Sequence, residues 1–244
     1  MDFALMAESF PKLMAGLPVT LALVASSLAL GIVFAVIIAQ MRLSSNWLLS
    51  KLAYGYVYVF RSTPLLVQIF LIYYGSGQFR ESLESVGLWY FLREPYFCAI
   101  MALTMNTAAY TAEIIRGGIQ SVPWGEIEAG RAVGMSKVTL FRRIIFPIAI
   151  RQALPAYGNE IILMVKSTSL ASTITILEVT GIAKKIIAAT FAPMEVFIIA
   201  GAIYLSMNFI VTRGIQWIEV KLSPQLYRER TAESKRKVDE VLAH

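Results

Sequence analysis

The chain has 244 residues, of which 57% are hydrophobic and 16% charged, and a formal net charge of +6. Soluble domains average roughly 45–50% apolar and ~25% charged residues, so this composition describes a membrane protein, and its apolar runs recur from end to end as one unit without a linker. The single cysteine, Cys98, lies in an apolar run, the single histidine, His244, is the last residue, and no G-x-x-x-x-G-K-[ST] string occurs; disulfide frameworks, zinc sites, Cys/His nucleophiles, Ser-His-Asp triads and a nucleotide-holding P-loop are therefore excluded.

A membrane-spanning helix needs about 20 mainly apolar residues, and five segments meet or approach that length. The first, 17–41, carries no charge; it is too long, and starts too far in without a basic flank, to be a cleaved signal peptide. The second, 56–77, holds Arg61 in its first turns and Pro64 just after, where it starts or kinks the span. The third is 96–115. The fourth, 154–177, contains Glu160 and Lys166. The stretch 178–193, with Lys184 and Lys185, stays unplaced as an outer or re-entrant segment. The fifth, 194–212, leads to a charged end. Five spans put the termini on opposite sides, and with the N-terminus outside the inner segments hold fifteen Lys/Arg against five in the outer ones. The expected fold is all-α and polytopic, with about five transmembrane helices, N-terminus outside and C-terminus cytoplasmic. A transmembrane domain covers 1–222, including a cytoplasmic loop over 117–150, and 223–244 is a charged cytoplasmic tail.

The longest inner loop reads "SVPWGEIEAGRAVGMSKVTLFRRIIFP". Pro123 fits the first turn of a helix, and Glu126 and Glu128 near that end suit its positive dipole. Ala129, Gly130, Ala132 and Gly134 then offer a surface almost without side chains. Gly134 is a stop, Ser136 caps a second helix, and Arg142 and Arg143 occupy its last turn before Pro147 ends it. Two short helices around a glycine hinge make a knob suited to another protein's socket. A DNA-binding helix-turn-helix is the rival reading, but that unit needs a third helix and its own core, while this loop is pinned at both ends to spans; nucleic acid is not an expected partner.

"EAG" at 128–130, Gly134 four residues on, and nine residues to "IIFP" at 144–147 resemble the E-A-A, G, I-x-L-P signature of permease subunits of binding-protein-dependent ABC importers. Gly130 stands for the third alanine and Phe146 for leucine. The stretches "FRSTPLLVQIFLIYYG", "NTAAYTAEIIRGGIQSVPWGEIEAGRAVGMS" and "NEIILMVKSTSLASTIT" extend the resemblance over nearly the whole chain to the polar amino acid branch, most strongly to histidine/lysine/arginine and octopine/nopaline permeases. The resemblance implies a bacterial inner-membrane translocation subunit that performs no covalent chemistry. It also implies a second homologous permease, two cytoplasmic ABC ATPase subunits and an extracytoplasmic substrate-binding protein as partners, besides membrane lipid. No cofactor is expected in this chain; ATP and Mg belong to the partner ATPases. The implied ATPase-coupling residues are Glu128, Ala129, Gly130, Gly134, Ile144 and Pro147. A secondary transporter or channel, the alternative, would leave the loop without a purpose.

Charged and amide side chains within spans are costly and mark a function or a pairing. Asn106, Tyr110 and Glu113 fall on one face of the third span; Asn159 and Lys166 share a face of the fourth, with Glu160 adjacent. Arg61, Asn106, Glu113, Asn159, Glu160 and Lys166 are therefore the candidate substrate path. Each has a structural reading beside it: Glu113 pairing with Arg116 three residues on, Arg61 snorkelling or holding a helix end, Lys166 with Glu160 as an ion pair between subunits, and Asn106 joining helices.

Overall fold

The structure, a computed structural model, describes residues 1–222; the stretch 223–244 expected as a tail lies outside the described residues, as does His244. Helix α1 (Phe3–Met14) starts on Asp2, whose carboxylate accepts from the Leu5 amide, and α2 (Leu17–Leu43) starts with Pro18 in its first turn, where a missing N–H is harmless. Asn46 caps α3 (Trp47–Ser62) through the amides of Leu48 and Leu49. Then come α4 (Leu65–Gly77), the short α5 (Arg80–Ser85) and α6 (Trp89–Leu92), and α7 (Pro95–Gln120). The loop contributes α8 (Trp124–Ala132), α9 (Lys137–Leu140) and a π turn (Phe141–Ile145). After it, α10 (Phe146–Ser167), a 3-10 turn (Thr168–Ile174), α11 (Val179–Thr190) and α12 (Pro193–Leu222) complete the described chain. Three stretches, Phe3–Leu43, Pro95–Gln120 and Pro193–Leu222, are each long and apolar enough to cross a membrane, and two bent helix pairs raise the number to as many as five.

Three features differ from the sequence expectation. The second span is not one helix: α3 and α4 meet at 103°. Thr63, before Pro64, takes extended backbone (φ −109°, ψ 145°), because the proline ring excludes a helical conformation from the residue ahead of it. The unplaced 178–193 stretch is mostly helix α11, which continues the preceding helical run at a bend of 47°. The fully buried Glu178 starts it, its carboxylate accepting from the amides of Thr180 (2.9 Å) and Gly181 (2.8 Å) and from the Tyr204 hydroxyl (2.6 Å). Finally, Pro147 does not end a loop helix. It occupies the first turn of α10, which follows α9 through the π turn, so the loop's second helix runs directly into the next long one.

The long helices meet through small residues. Gly31 of α2 lies against Thr107 of α7, and Ala35, Ala39 and Ala112, all essentially unexposed, form a cluster between the same two helices. Residue numbers rise together along this seam, so α2 and α7 run parallel. In contrast α7 and α10 are antiparallel: Gly118 meets Ala149, and Thr107 meets Glu160. Gly158 on α10 meets Ile215 on α12, again antiparallel given that Glu178 bonds Tyr204. Lipid tails are as apolar as leucine, so helices in a membrane gain little from burying large side chains and associate where small residues let them pack closely. A Cβ on Gly118 would lie 2.7 Å from the Ala149 carbonyl oxygen and 3.0 Å from the Ala153 Cβ. Gly118→Val is expected to lower the thermal midpoint of the detergent-solubilised protein, at a cost of about 1–3 kcal/mol for overpacking; an unchanged midpoint would show that the α7–α10 seam yields freely.

Candidate functional site

The loop presents two different faces. Helix α8 packs chiefly on α9 and the π turn. Its Gly130 is buried, and a Cβ there would lie 2.5 Å from Leu140 Cδ1 and 2.9 Å from Ile144 Cδ1. Gly130 and Ile144 thus form an inner seam that holds the two halves of the loop together. Gly134 follows the helix with φ +78°, a left-handed conformation that glycine adopts without strain, and its amide closes the helix end on the Arg131 carbonyl at 2.9 Å. Ser136 caps α9 through the Thr139 amide.

On the outer face Glu128, Ala129 and Ala132 are exposed. Trp124 donates its indole N–H to Glu128 at 2.7 Å, and the Arg131 guanidinium lies 5.3 Å from the centre of the Trp124 ring. The carboxylate is therefore held in place rather than swinging freely. Trp124, Val133 and Val138 are all more than 60% exposed, an apolar rim around a fixed charge. Such a surface suits a protein partner. The signal for Trp124 was present in the sequence as its four-residue spacing from Glu128, which puts the two on one helical face.

The six expected path residues fall into separate environments. Glu113 is fully engaged: it accepts from Arg42 Nε of α2 at 3.0 Å and from Arg116 at 2.7 and 2.9 Å. This three-residue cluster joins the loop ends of α2 and α7 and agrees with the pairing reading; Arg42, 71 positions before Glu113 and on another helix, gave no sequence signal. Asn106 donates to the Gln68 side chain (3.0 Å) and the Phe60 carbonyl (3.3 Å), joining α7 to the break between α3 and α4. Arg61 is exposed, its guanidinium stacked 5.1 Å from the centre of the Tyr110 ring, while the Tyr110 hydroxyl donates to the Arg61 carbonyl at 3.4 Å. Asn159 and Lys166 are exposed on α10, and among the described residues neither Lys166 nor Arg61 has a carboxylate within ion-pair distance.

Glu160 stands apart from the others. Only 6% of it is exposed, and its carboxylate receives the Thr107 hydroxyl at 2.8 Å, with no cation within ion-pair distance among the described residues. Sequence spacing singled out the face of α7 bearing Asn106, Tyr110 and Glu113, but Glu160 meets the neighbouring face through Thr107. A threonine in an apolar helix is too common to signal such a role.

Residues 31–224 match the family described as binding-protein-dependent transport system inner membrane component. The nopaline transport system permease protein NocM of Agrobacterium fabrum is 66% identical over 226 residues, covering 93% of this chain and 94% of that one. The arginine ABC transporter permease protein ArtM of Escherichia coli is 43% identical over 216 residues, covering 88% and 96%. A crystal structure of an amino acid ABC transporter with histidines superposes with a TM-score of 0.80 at 36% identity, over 91% of this chain and 99% of that one. The all-helical fold, the E-A-G loop between long helices and these likenesses agree, and this multi-pass bacterial inner-membrane protein belongs to the binding-protein-dependent permeases of polar amino acid ABC importers.

Proposed function

We propose that this chain is the translocation subunit of an ATP-driven importer that takes up basic amino acids or opines by alternating access. The observation that carries the substrate class is the buried carboxylate of Glu160, which has no cation within ion-pair distance among the described residues. An intramembrane carboxylate without a directly paired counter-ion is costly, and a guanidinium or ammonium on a passing substrate lowers that cost transiently. Arginine and nopaline, the substrates in the names of ArtM and NocM, both carry a guanidino group. Asn159 and Lys166, exposed on the same helix as Glu160, and the exposed Arg61 of α3 supply donors for the substrate carboxylate.

The topology supporting this reading has five crossings. Parallel α2 and α7 require an odd number of crossings between them, which the bent α3–α4 pair supplies as one, and antiparallel α10 and α12 add two more. The Lys/Arg excess on the loop side makes that side cytoplasmic, with the N-terminus outside. The permease domain then spans 1–222, with 223–244 as its cytoplasmic tail. The 117–150 loop docks on a cytoplasmic ATPase, which binds ATP and Mg, and a second permease and an extracytoplasmic binding protein complete the complex. Closure of the ATPases moves the spans as rigid bodies through the loop.

The test is uptake of labelled arginine into proteoliposomes holding the complex that co-purifies with this chain. Uptake that requires ATP and is competed by histidine and octopine, not by glutamate, is the expected result. Competition by glutamate or glutamine in place of the basic compounds would overturn the substrate class, and uptake without any ATPase subunit would favour a secondary transporter.

A further inference from the structure

A groove of about 770 Å³ lies between α2, α7 and the start of α10, at the end of the bundle where α2 and α7 stop and the loop begins. Of its sixteen lining residues only Gln40, Thr111 and Tyr157 carry a polar side-chain atom, and none of Arg61, Asn159, Glu160 or Lys166 reaches it. No charged side chain lines the groove to meet a hydrophilic amino acid, so the groove is separate from the candidate substrate path. Its walls match hydrocarbon.

The groove's loop end is basic. Phe141 and Phe146, with ring centres 6.1 Å apart, form its edge. Arg142 follows Phe141 directly and Arg143 comes next, both in the π turn that leads to Phe146. Both arginines are exposed, and among the described residues neither makes an ion pair, whereas Arg42 and Arg116 close by are already engaged by Glu113. We infer that this groove seats an anionic phospholipid, with an acyl chain lying between α2, α7 and α10 and the phosphate held by Arg142 and Arg143. Basic pockets between membrane helices are suited to anionic headgroups, and each arginine at a membrane surface strengthens their binding about fivefold.

The experiment uses the full complex purified in detergent and exchanged into lipid–detergent mixtures of phosphatidylglycerol and phosphatidylcholine, with retained lipid counted by native mass spectrometry. The expected result is preferential retention of phosphatidylglycerol, reduced about fivefold by Arg142→Gln or Arg143→Gln, with the ATPase subunits still present. Ile150→Trp, which fills the groove from a position already 40% exposed, should reduce retention of both lipids. Equal retention of the two lipids by the unaltered complex would overturn the inference. So would loss of ATPase subunits from the arginine variants with lipid retention unchanged, which would assign the arginines to protein docking instead.

Discussion

Exchange of Glu160 for glutamine is expected to lower ATP-dependent arginine uptake about tenfold or more, because a charge-assisted hydrogen bond is worth roughly 1.5–3 kcal/mol and 1.4 kcal/mol is a factor of ten. The amide keeps the shape of the side chain and can still meet the Thr107 hydroxyl, so assembly and thermal midpoint should hold. Glu160→Asp retains the charge and should keep more transport than glutamine does. Thr107→Val removes the one hydroxyl on the carboxylate without altering charge, and should move the half-saturating arginine concentration less than Glu160→Gln does. Undiminished uptake by Glu160→Gln would show that the carboxylate serves packing between α7 and α10 and not the substrate.

The second large effect concerns the loop. Glu128→Lys reverses an exposed charge that Trp124 holds in place, so it should leave the fold intact while reducing co-purification of the ATPase and, with it, uptake by about thirtyfold or more, the scale on which breaking an interface charge pair acts. Gly130→Leu acts from inside. Its side chain would collide with Leu140 and Ile144, displacing α8 from α9 and the π turn. It should lose ATPase association as well, but with increased protease sensitivity within the loop that Glu128→Lys does not show. Intact transport by Glu128→Lys would place the docking contact elsewhere on the loop.

Much of this arrangement is legible in the sequence. Apolar runs of span length located α2, α7 and α12, because length and composition alone decide whether a helix can cross lipid. The E-A-G motif located α8. What the spacing could not separate was inside from outside within that motif: Glu128 and Ala129 face outward while Gly130 two positions on is buried, and a residue without a side chain looks the same whether it faces a partner or its own chain. Likewise the angle between α3 and α4 is a tertiary property, for a proline permits either a kink or a break. Glu178 carries no signal in the sequence because it sits beside the expected span rather than in it, and its role depends on Tyr204, 26 positions away. Arg42 and Gln68 share that difficulty: their partners come from other helices.

The break at Pro64 also bears on which parts of the bundle can move. Ending α3 there frees backbone carbonyls at membrane depth, and the Gln68 amide takes up those of Phe60 (2.9 Å) and Thr63 (3.1 Å), while Asn106 of α7 secures Gln68 and Phe60 in turn. Each such group left bare in hydrocarbon would cost several kcal/mol. The sharp bend is thus a bracket and not a joint: flexing it would strip amides and carbonyls together. These bonds tie α3, α4 and α7 together, so the three are expected to travel as one piece.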